Sequence, residues 1–424
     1  MRMKYGSSIR GSSLSGELMR ASSAKMVIMR CWSAFSFRKK PPDVRKRPFP
    51  PLYAITDDRS SRSPAEQVRF LGDLGFPLVQ LRCKTLSSEQ FKSQLDQAIE
   101  EARTAGQWPR LCLNDRIDLL RTVPPERQPW GLHLGQEDTP IEQARTLLSP
   151  QIKLGLSSHI EAHWRDLPEG IHHLGVGPIY QPRSKPSSWA PLGWEGFRNA
   201  LQILGPRIHP IIAIGGLHQQ DLKQAYRAGA DSVAMITEIS SDPHPENLLW
   251  EAQRERWQVR PHYLKQGVVL VGHSGSGKTS LGQELAPRLG LPFVDLDQAI
   301  EIKAGRSISE LFENQGETHF RKLEYEVALE HLKPGQVIAL GGGAWHQSDV
   351  RLHIQSLNLP ILVLAEPPRR CWTRLQSTVS RPLARSESEF LARCAQRAAD
   401  LHDLDEVYSC GRSIRDLANQ LTHN

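Results

Sequence analysis

From residue 51 onward, short apolar or β-branched runs alternate with longer stretches in which apolar residues recur at helical spacing. This alternation is typical of parallel sheets built from βα units. Eight such runs precede residue 240, which favours an α/β fold with a closed (β/α)8 barrel of the TIM type. The predicted barrel strands are Leu52–Ile55, Leu78–Leu81, Leu111–Leu113, Gly131–Leu134, Ile152–Leu156, His173–Val176, Ile211–Ile214 and Ser232–Ile236.

A second series of βα units follows a polar connection. Its predicted strands are Gly267–Val271, Phe293–Leu296, Val337–Leu340 and Leu362–Leu364. Four strands are too few to close a barrel and favour an open, doubly wound parallel sheet. We therefore predict a barrel over residues 48–257, a linker over 258–266 and a second α/β domain over 267–424. Each domain is long enough to bury its own core, so we expect the two to fold independently.

The charge of the chain is unevenly distributed. Residues 1–47 hold 12 Lys and Arg residues and 2 Asp and Glu residues, whereas the remainder, with 41 basic and 44 acidic residues, is close to neutral. A nucleic-acid-binding protein would carry its basic residues on a folded face, so nucleic acid is not an expected partner. We predict that residues 1–47 form a basic, disordered arm, with an organelle transit peptide as the alternative.

The six cysteines are scattered and include no Cys-x-x-Cys pair. This spacing excludes a zinc ribbon and is typical of a protein in a reducing compartment. No apolar run reaches the roughly 18 residues that a membrane-spanning helix needs. We expect a cytoplasmic protein that acts on small molecules and has no membrane partner.

Polar residues are concentrated where the predicted barrel strands end, which is where barrel enzymes have their active sites. Alternation would point Gln80, Arg82 and Lys84 inward together at the end of the second strand. One amide and two cations suit a polyanion such as a diphosphate. A surface set of ion pairs is the alternative.

Two carboxylates, Asp115 and Asp138, follow the third and fourth predicted strands. Neighbouring strands would place both beside the cations, and a Mg²⁺ ion held in this way takes its other ligands from phosphate and water. Each aspartate alone could instead cap a helix. Gly215-Gly216 and the polar residues after the eighth strand are typical of a barrel phosphate site.

Residues 51–240 resemble thiamine-phosphate synthase. The resemblance rests on Tyr53-Ala54-Ile55-Thr56-Asp57, Gln80-x-Arg82-x-Lys84, Asn114-Asp115-Arg116, His133-x-Gly135-Gln136-x-Asp138 and Gly215-Gly216, in this order. It implies that Gln80, Arg82, Lys84, Asn114, Ser157 and Lys185 hold hydroxymethylpyrimidine diphosphate, that Asp115 and Asp138 bind Mg²⁺, and that thiazole phosphate lies against Ser184, Gly216, Ile236 and Thr237. Arg82 and Lys185 would stabilise the departing pyrophosphate electrostatically.

The loop after the sixth predicted strand departs from the family pattern. Pro182 and Ser184 stand where two threonines usually precede the lysine, and proline has no backbone N–H to donate. A barrel related to thiazole tautomerase, or one that only binds ligands, is the alternative. The presence of both Asp115 and Asp138 favours the synthase.

The segment Gly272–Thr279 matches the phosphate-binding loop G-x-x-x-x-G-K-[ST] in full. It follows a predicted strand and precedes the amphipathic stretch Ser280–Leu289, as this motif requires. Lys278 would reach the β- and γ-phosphates of ATP, and Thr279 would bind Mg²⁺. The predicted ATP-binding residues of this loop are Gly272, Ser274, Gly275, Ser276, Gly277, Lys278 and Thr279.

Residues 267–410 resemble shikimate kinase. The resemblance rests on Asp295-Leu296-Asp297, Phe320-Arg321-x-x-Glu324, Gly341-Gly342-Gly343 and Arg381-Pro382-Leu383. It implies that Asp297, Arg321, Gly342, Gly343 and Arg397 hold shikimate, that Asp297 orients the attacking hydroxyl, and that Asp295 holds Mg²⁺ through water. Arg381 would come from a mobile lid to contact ATP and the transferring phosphoryl group.

Two features of this second part leave alternatives open. Arg321 could pair with Glu324 three residues further on, which would orient the arginine. The family normally continues Arg-x-Pro-Leu-Tyr after its second substrate arginine, whereas here Arg397 is followed by Ala398-Ala399-Asp400-Leu401. Another small hydroxylated acceptor such as gluconate is therefore the alternative to shikimate. The sequence as a whole predicts a bifunctional transferase that uses ATP and Mg²⁺.

Overall fold

The computed structural model describes residues 48–182, 188–206, 209–259, 264–376, 386–402 and 404–422, so the predicted basic arm lies outside the described part. The first eight strands form a closed barrel in which each strand pairs in parallel with the next and the eighth pairs with the first. These strands are β1 Leu52–Ile55, β2 Leu78–Leu81, β3 Arg110–Asn114, β4 Gly131–Leu134, β5 Lys153–Ser158, β6 Ile171–Val176, β7 Ile211–Ala213 and β8 Ser232–Met235.

Nine helices follow the barrel strands within the described residues. The first two begin at serines whose side chains form capping boxes, Ser63 with Glu66 and Ser87 with Gln90, which satisfies backbone N–H groups that a helix start leaves unpaired. The helices are α1 Pro64–Leu74, α2 Ser88–Thr104, α3 Ile117–Leu120, α4 Ile141–Leu147, α5 Glu161–Arg165, α6 Gly193–Leu204, α7 Leu222–Arg227, α8 Thr237–Ser241 and α9 Glu246–Gln258, with 3₁₀ turns at Pro125–Arg127 and Gln219–Asp221.

Aromatic side chains fill the interior of the barrel. The rings of Phe49 and His173 lie 5.0 Å apart, and Trp130 stacks on His173. Gly155 makes room for this layer, because a Cβ atom on it would lie 2.1 Å from His173 Nε2 and 2.4 Å from His133 Nδ1. Burial lowers the pKa of His133 to about 4, so its imidazole is neutral in the folded protein near pH 7.

The second sheet has five parallel strands. They are β9 Val268–Val271, β10 Phe293–Asp295, β11 Val337–Ala339, β12 Ile361–Leu364 and β13 Asp405–Val407. Their order across the sheet is β10-β11-β9-β12-β13. Both expected folds, the barrel and the open parallel sheet, are therefore confirmed. The edge strand β13 was not predicted, because two of its three residues are acidic.

Helices surround this second sheet. The long helix α12 contains a kink at Gly316, whose φ of 78° a residue with a side chain rarely adopts. The helices are α10 Lys278–Leu289, α11 Leu296–Ala304, α12 Ile308–His331, α13 Ser348–Ser356, α14 Pro368–Gln376, α15 Glu387–Leu401 and α16 Ile414–Thr422, with a 3₁₀ turn at Ala344–His346.

Helix α9 packs against both parts of the chain. It contacts β1 and α7 of the barrel and α16 of the second part, and residues Lys46–Asn424 form one compact unit. Trp257, just before the predicted linker, and Leu264, within it, are buried in the core of the second sheet. Among the described residues, no helix is long and apolar enough to cross a membrane.

Candidate active sites

The carboxyl ends of the barrel strands surround a cavity of about 570 Å³. Seven residues assigned from the sequence to the two thiamine precursors line it: Gln80, Arg82, Asn114, Ser157, Gly216, Ile236 and Thr237. The strand register explains how they meet, because Asn114 pairs with His133 and Ser157 with Gly175 across neighbouring strands. Residues expected for the pyrimidine diphosphate and residues expected for the thiazole phosphate thus share one cavity, although Lys84 is not among those that line it.

A buried hydrogen-bond chain holds Ser157. His133 Nε2 lies 2.9 Å from Ser157 Oγ, and His133 Nδ1 lies 3.2 Å from His173 Nε2. Since burial keeps these imidazoles neutral, each ring has one N–H to donate and one nitrogen to accept. His133 and Tyr53, which accepts a hydrogen bond from Gln80 Nε2 at 3.0 Å, are supporting residues that sequence reasoning did not place in the site.

The two cations after β2, Arg82 and Lys84, do not continue the alternation of the strand as expected. The strand ends at Leu81, so alternation does not extend to Arg82 and Lys84. Arg82 Nη1 lies 3.7 Å from Asp58 Oδ2, and its side chain is 12% exposed at the cavity. Lys84 donates to Asp115 and is 42% exposed. Both cations therefore have acidic partners, as the alternative of a set of ion pairs requires. Arg82 nevertheless lines the cavity.

Asp115 lies close enough to Asp138 to influence its ionisation. Burial raises the pKa of Asp138, and the negative charge of Asp115 adds to the rise, while a 2.7 Å hydrogen bond from Gly135 N opposes it. Neither aspartate caps a helix, since α3 begins after Arg116 and α4 after Pro140. Two neighbouring carboxylates form a donor set that fits Mg²⁺.

Additional Mg²⁺ ligands would have to come from substrate and water. Among the described residues, no group of three or more His, Cys, Asp or Glu side chains is arranged to hold a metal ion. Asp115 also has a φ of 61°, a conformation that costs a non-glycine residue energy and is concentrated at functional sites.

The predicted phosphate site lies between the ends of β7 and β8. Gly215 and Gly216 both have positive φ, and a Cβ atom on Gly216 would lie 2.9 Å from Tyr180 Cβ. Arg59 Nη2 donates to Thr237 Oγ1 at 2.6 Å, which brings a cation to this site that the sequence reasoning missed. Ser184 and Lys185, which the resemblance assigned to the substrates, lie outside the described residues.

The phosphate-binding loop has the backbone shape that its glycines allow. Gly272, Gly275 and Gly277 all have positive φ, and a Cβ atom on Gly275 would lie 2.5 Å from Cys371 O. Helix α10 begins at Lys278, earlier than predicted, so Lys278 and Thr279 belong to its first turn. Lys278 Nζ donates to Gly272 O at 3.0 Å and to His273 O at 2.8 Å, which keeps it over the loop.

Thr279 and Asp295, the two residues of this part that were assigned to Mg²⁺ from the sequence, are hydrogen-bonded to each other. Thr279 Oγ1 donates to Asp295 Oδ2 at 2.5 Å. Asp295 also caps α11 by accepting from Gln298 N. A hydroxyl and a carboxylate in contact beside the phosphate-binding loop fit a hydrated Mg²⁺ ion, which binds few protein ligands directly.

A cavity of about 440 Å³ adjoins the phosphate-binding loop. All five residues assigned from the sequence to shikimate line it: Asp297, Arg321, Gly342, Gly343 and Arg397. The glycines leave space that side chains would fill. A Cβ atom on Gly342 would lie 2.3 Å from Ser274 Oγ, and one on Gly341 would lie 2.3 Å from Asp297 Oδ1. The sequence did not indicate that a glycine is also required at position 341.

Arg321 is held by two carboxylates. Its guanidinium lies 2.8 Å from Glu324 Oε2 and 3.0 Å from Glu317 Oε1. Burial raises the pKa of Glu324, while the charge of Arg321 opposes the rise. The pairing considered from the sequence is therefore present, and it orients the arginine toward the cavity.

Arg397 reaches the cavity in spite of the unusual sequence that follows it. Its Nη1 donates to Gly342 O at 3.1 Å. Asp400, in the divergent segment, lies 2.8 Å from His346 Nδ1 and accepts from Trp345 Nε1 through its backbone oxygen, so it ties α15 to the segment after the three glycines. The predicted lid residue Arg381 lies outside the described residues.

Comparison with known proteins identifies both parts. Residues 52–239 match the family model of thiamine monophosphate synthase. The thiamine-phosphate synthase of Chloroflexus aurantiacus is 33% identical over 191 residues, which cover 44% of this chain and 84% of the relative. That of Caldicellulosiruptor saccharolyticus is 31% identical over 210 residues, covering 48% and 91%.

The chain belongs to the thiamine-phosphate synthase family. Its remaining part matches the shikimate kinase family model over residues 274–415. Among solved structures, shikimate kinase from Acinetobacter baumannii in complex with shikimate is 29% identical, covering 38% of this chain and 93% of that one, with a TM-score of 0.36. The two family-model matches confirm the expected synthase and kinase, and neither favours the tautomerase-like or gluconate alternatives.

Proposed function

We propose that this thiamine-phosphate synthase family member is a bifunctional transferase. Its barrel joins hydroxymethylpyrimidine diphosphate to thiazole phosphate, and its second part transfers the γ-phosphoryl group of ATP to shikimate. One observation supports each activity: the gathering of the synthase motifs around one barrel cavity, and the approach of Arg321 and Arg397 to Gly343 beside the phosphate-binding loop.

In the barrel, the chain's main task is to hold an anion as it leaves. The bond between the pyrimidine methylene carbon and pyrophosphate breaks with its electrons on the pyrophosphate, and the thiazole nitrogen supplies the pair for the new C–N bond. Arg82, Asn114 and Ser157 line the cavity where that negative charge develops. Mg²⁺ held by Asp115 and Asp138 would neutralise part of the pyrophosphate charge.

In the kinase part, the residues position two substrates in line. Lys278 and the loop N–H groups would hold the β- and γ-phosphates, and Thr279 with Asp295 would hold Mg²⁺, which offsets the phosphate charge. Arg321 and Arg397 would bind the shikimate carboxylate, since guanidinium forks match carboxylate geometry. Asp297 would accept a hydrogen bond from the attacking hydroxyl and orient it.

The other expected properties belong to the same proposal. Its partners would be the small-molecule substrates of the two reactions, and its compartment the cytoplasm. The five cysteines in the described part are free and buried, which is in keeping with a reducing environment.

The test is to assay both reactions on the purified full-length protein. Thiamine phosphate should form only when both precursors and Mg²⁺ are present, and ADP should form only when shikimate is added. Arg82→Ala should strongly slow the first reaction and leave the second unchanged, whereas Lys278→Ala should strongly slow the second and leave the first unchanged. ADP formation with gluconate but without shikimate would overturn the acceptor assignment, and loss of both activities in either variant would overturn the separation of the two sites.

A further inference from the structure

The amino-terminal end of the barrel, opposite the synthase cavity, contacts the kinase part. Arg110, the first residue of β3, donates from Nη2 to Glu406 Oε2 of β13 at 2.6 Å. The two side chains are only 5% and 8% exposed. Arg110 Nε also donates to Pro77 O at 3.2 Å. Because a buried charge is costly without its partner, the position of β13 is linked to that of β3.

A barrel helix binds Tyr408, the residue that directly follows β13, by a second route. Gln253 of α9 accepts from Tyr408 N at 2.7 Å and donates to Tyr408 O at 3.0 Å. The Tyr408 hydroxyl donates to Glu406, so the two routes meet. A side chain that binds both backbone groups of one residue specifies its position as well as adding affinity. Neither contact was expected from the sequence, which suggested independently folded halves.

Helix α15, which carries Arg397, also contacts the barrel near its amino-terminal end. Helices α2 and α15 pack together, and a Cβ atom on Gly106, just after α2, would lie 3.2 Å from Leu391 O. Leu391 and Arg397 are six residues apart on α15, which corresponds to about 9 Å along one helix. The far end of α15 leads directly into β13. Barrel contacts therefore hold this helix near both of its ends.

We propose that the barrel positions the acceptor-binding arginine of the kinase, with Arg110 and Gln253 acting as positioning residues for Arg397. This inference rests on the proposed kinase function and extends it. The barrel takes no part in phosphoryl transfer. It sets where α15 lies, and thereby the distance between Arg397 and Arg321 across Gly343. The phosphate-binding loop follows β9, which β12 separates from β13, so ATP binding should depend less on these two positioning residues.

The test uses full-length protein and compares Gln253→Leu and Arg110→Met with a matched barrel variant. Arg165→Met is the control, because Arg165 is 66% exposed and pairs with Glu161 within α5. We expect the KM for shikimate to rise about tenfold in the two interface variants, since small displacements of positioning groups are costly. The KM for ATP and the synthase rate should stay within about twofold of wild type. The control should match wild type in the KM for shikimate, the KM for ATP and the synthase rate.

Three results would count against the proposal. A variant with a lower melting temperature but a wild-type KM for shikimate would show that the interface only holds the halves together. Equal rises of the KM for ATP and for shikimate would indicate general loosening of the kinase. If Arg110→Met does not fold, Gln253→Leu decides the matter, because it removes no charge. Wild-type protein that never consumes ATP with shikimate would overturn the proposed function and this inference together.

Discussion

Arg321 and Arg397 approach the same point from two different helices. A Cβ atom on Gly343 would lie 2.9 Å from Arg321 Nη2 and 3.2 Å from Arg397 Nη2. Burial lowers the pKa of Arg397, and the positive charge of Arg321 lowers it further. Two guanidinium groups held this close favour an anion between them, which is the basis for placing the acceptor carboxylate there.

Replacing Arg397 should weaken acceptor binding. We expect Arg397→Met to raise the KM for shikimate by about 10- to 100-fold, because one of two charged contacts to the carboxylate is lost. Initial rates over a range of shikimate concentrations would measure this. Arg415→Met, at a side chain that is 75% exposed, is the matched control. A KM within twofold of wild type for Arg397→Met would contradict the assignment of this arginine.

Lys278 should stabilise the phosphoryl group of ATP while it is transferred. We expect Lys278→Ala to lower kcat for ATP-dependent phosphorylation by about 10²- to 10³-fold, since it removes a charge that stabilises the transition state. A coupled ADP assay would measure this, with the more exposed Lys303→Ala as control. A purely structural lysine would instead lower the melting temperature while leaving kcat of the folded fraction intact.

The two barrel carboxylates should determine the metal dependence. Because burial and Asp115 raise the pKa of Asp138, protons compete with Mg²⁺ for this site, and the Mg²⁺ concentration for half-maximal thiamine phosphate formation should increase as the pH falls. Asp138→Asn should raise that concentration at every pH and flatten its pH dependence. Full synthase activity in excess chelator would refute the two-carboxylate site.

Folding stability should decrease in mild acid. Burial lowers the pKa of His133 to about 4 and that of His273 to about 3, so the unfolded chain binds these protons first. The contribution of these neutral histidines to the free energy of unfolding is complete above about pH 6.5. It is lost as the pH falls toward 4, by up to about 1.4 kcal/mol per histidine and pH unit. Melting temperatures between pH 7.5 and 5 would show this. His133→Gln should reduce the slope, whereas His244→Gln, at an exposed position, should not.

The barrel strands could be predicted because they are continuous apolar runs, as parallel strands buried on both faces are. Their ends were predicted less well. Both Asn114 and Ser158 extend a strand in the structure, because the ladder of backbone hydrogen bonds continues past the last apolar side chain. Polar residues at strand ends are where the site lies, so the least predictable part of each strand carries the chemistry.

Strand β13 could not be predicted from its own residues. The buried carboxylate of Glu406 is paired with Arg110, 296 positions earlier in the chain, which supplies the opposite charge. No local pattern contains that information. His133 was missed as a site residue for a related reason: a histidine within an apolar strand indicates a core position, and only the register across β4 and β5 shows that it reaches Ser157.

The two ends of the barrel should differ in how much sequence change they tolerate. Loops at the carboxyl end surround the synthase cavity, so a new insertion there would alter one reaction alone. Turns at the amino-terminal end, such as that at Gly106, lie against the helix that carries Arg397. A substitution in such a turn, more than 270 positions earlier in the chain than the kinase residue it affects, should be detected first as a defect in phosphoryl transfer. We therefore expect the amino-acid sequence of the amino-terminal end, which contains no active site of its own, to change more slowly in evolution than that of the carboxyl end.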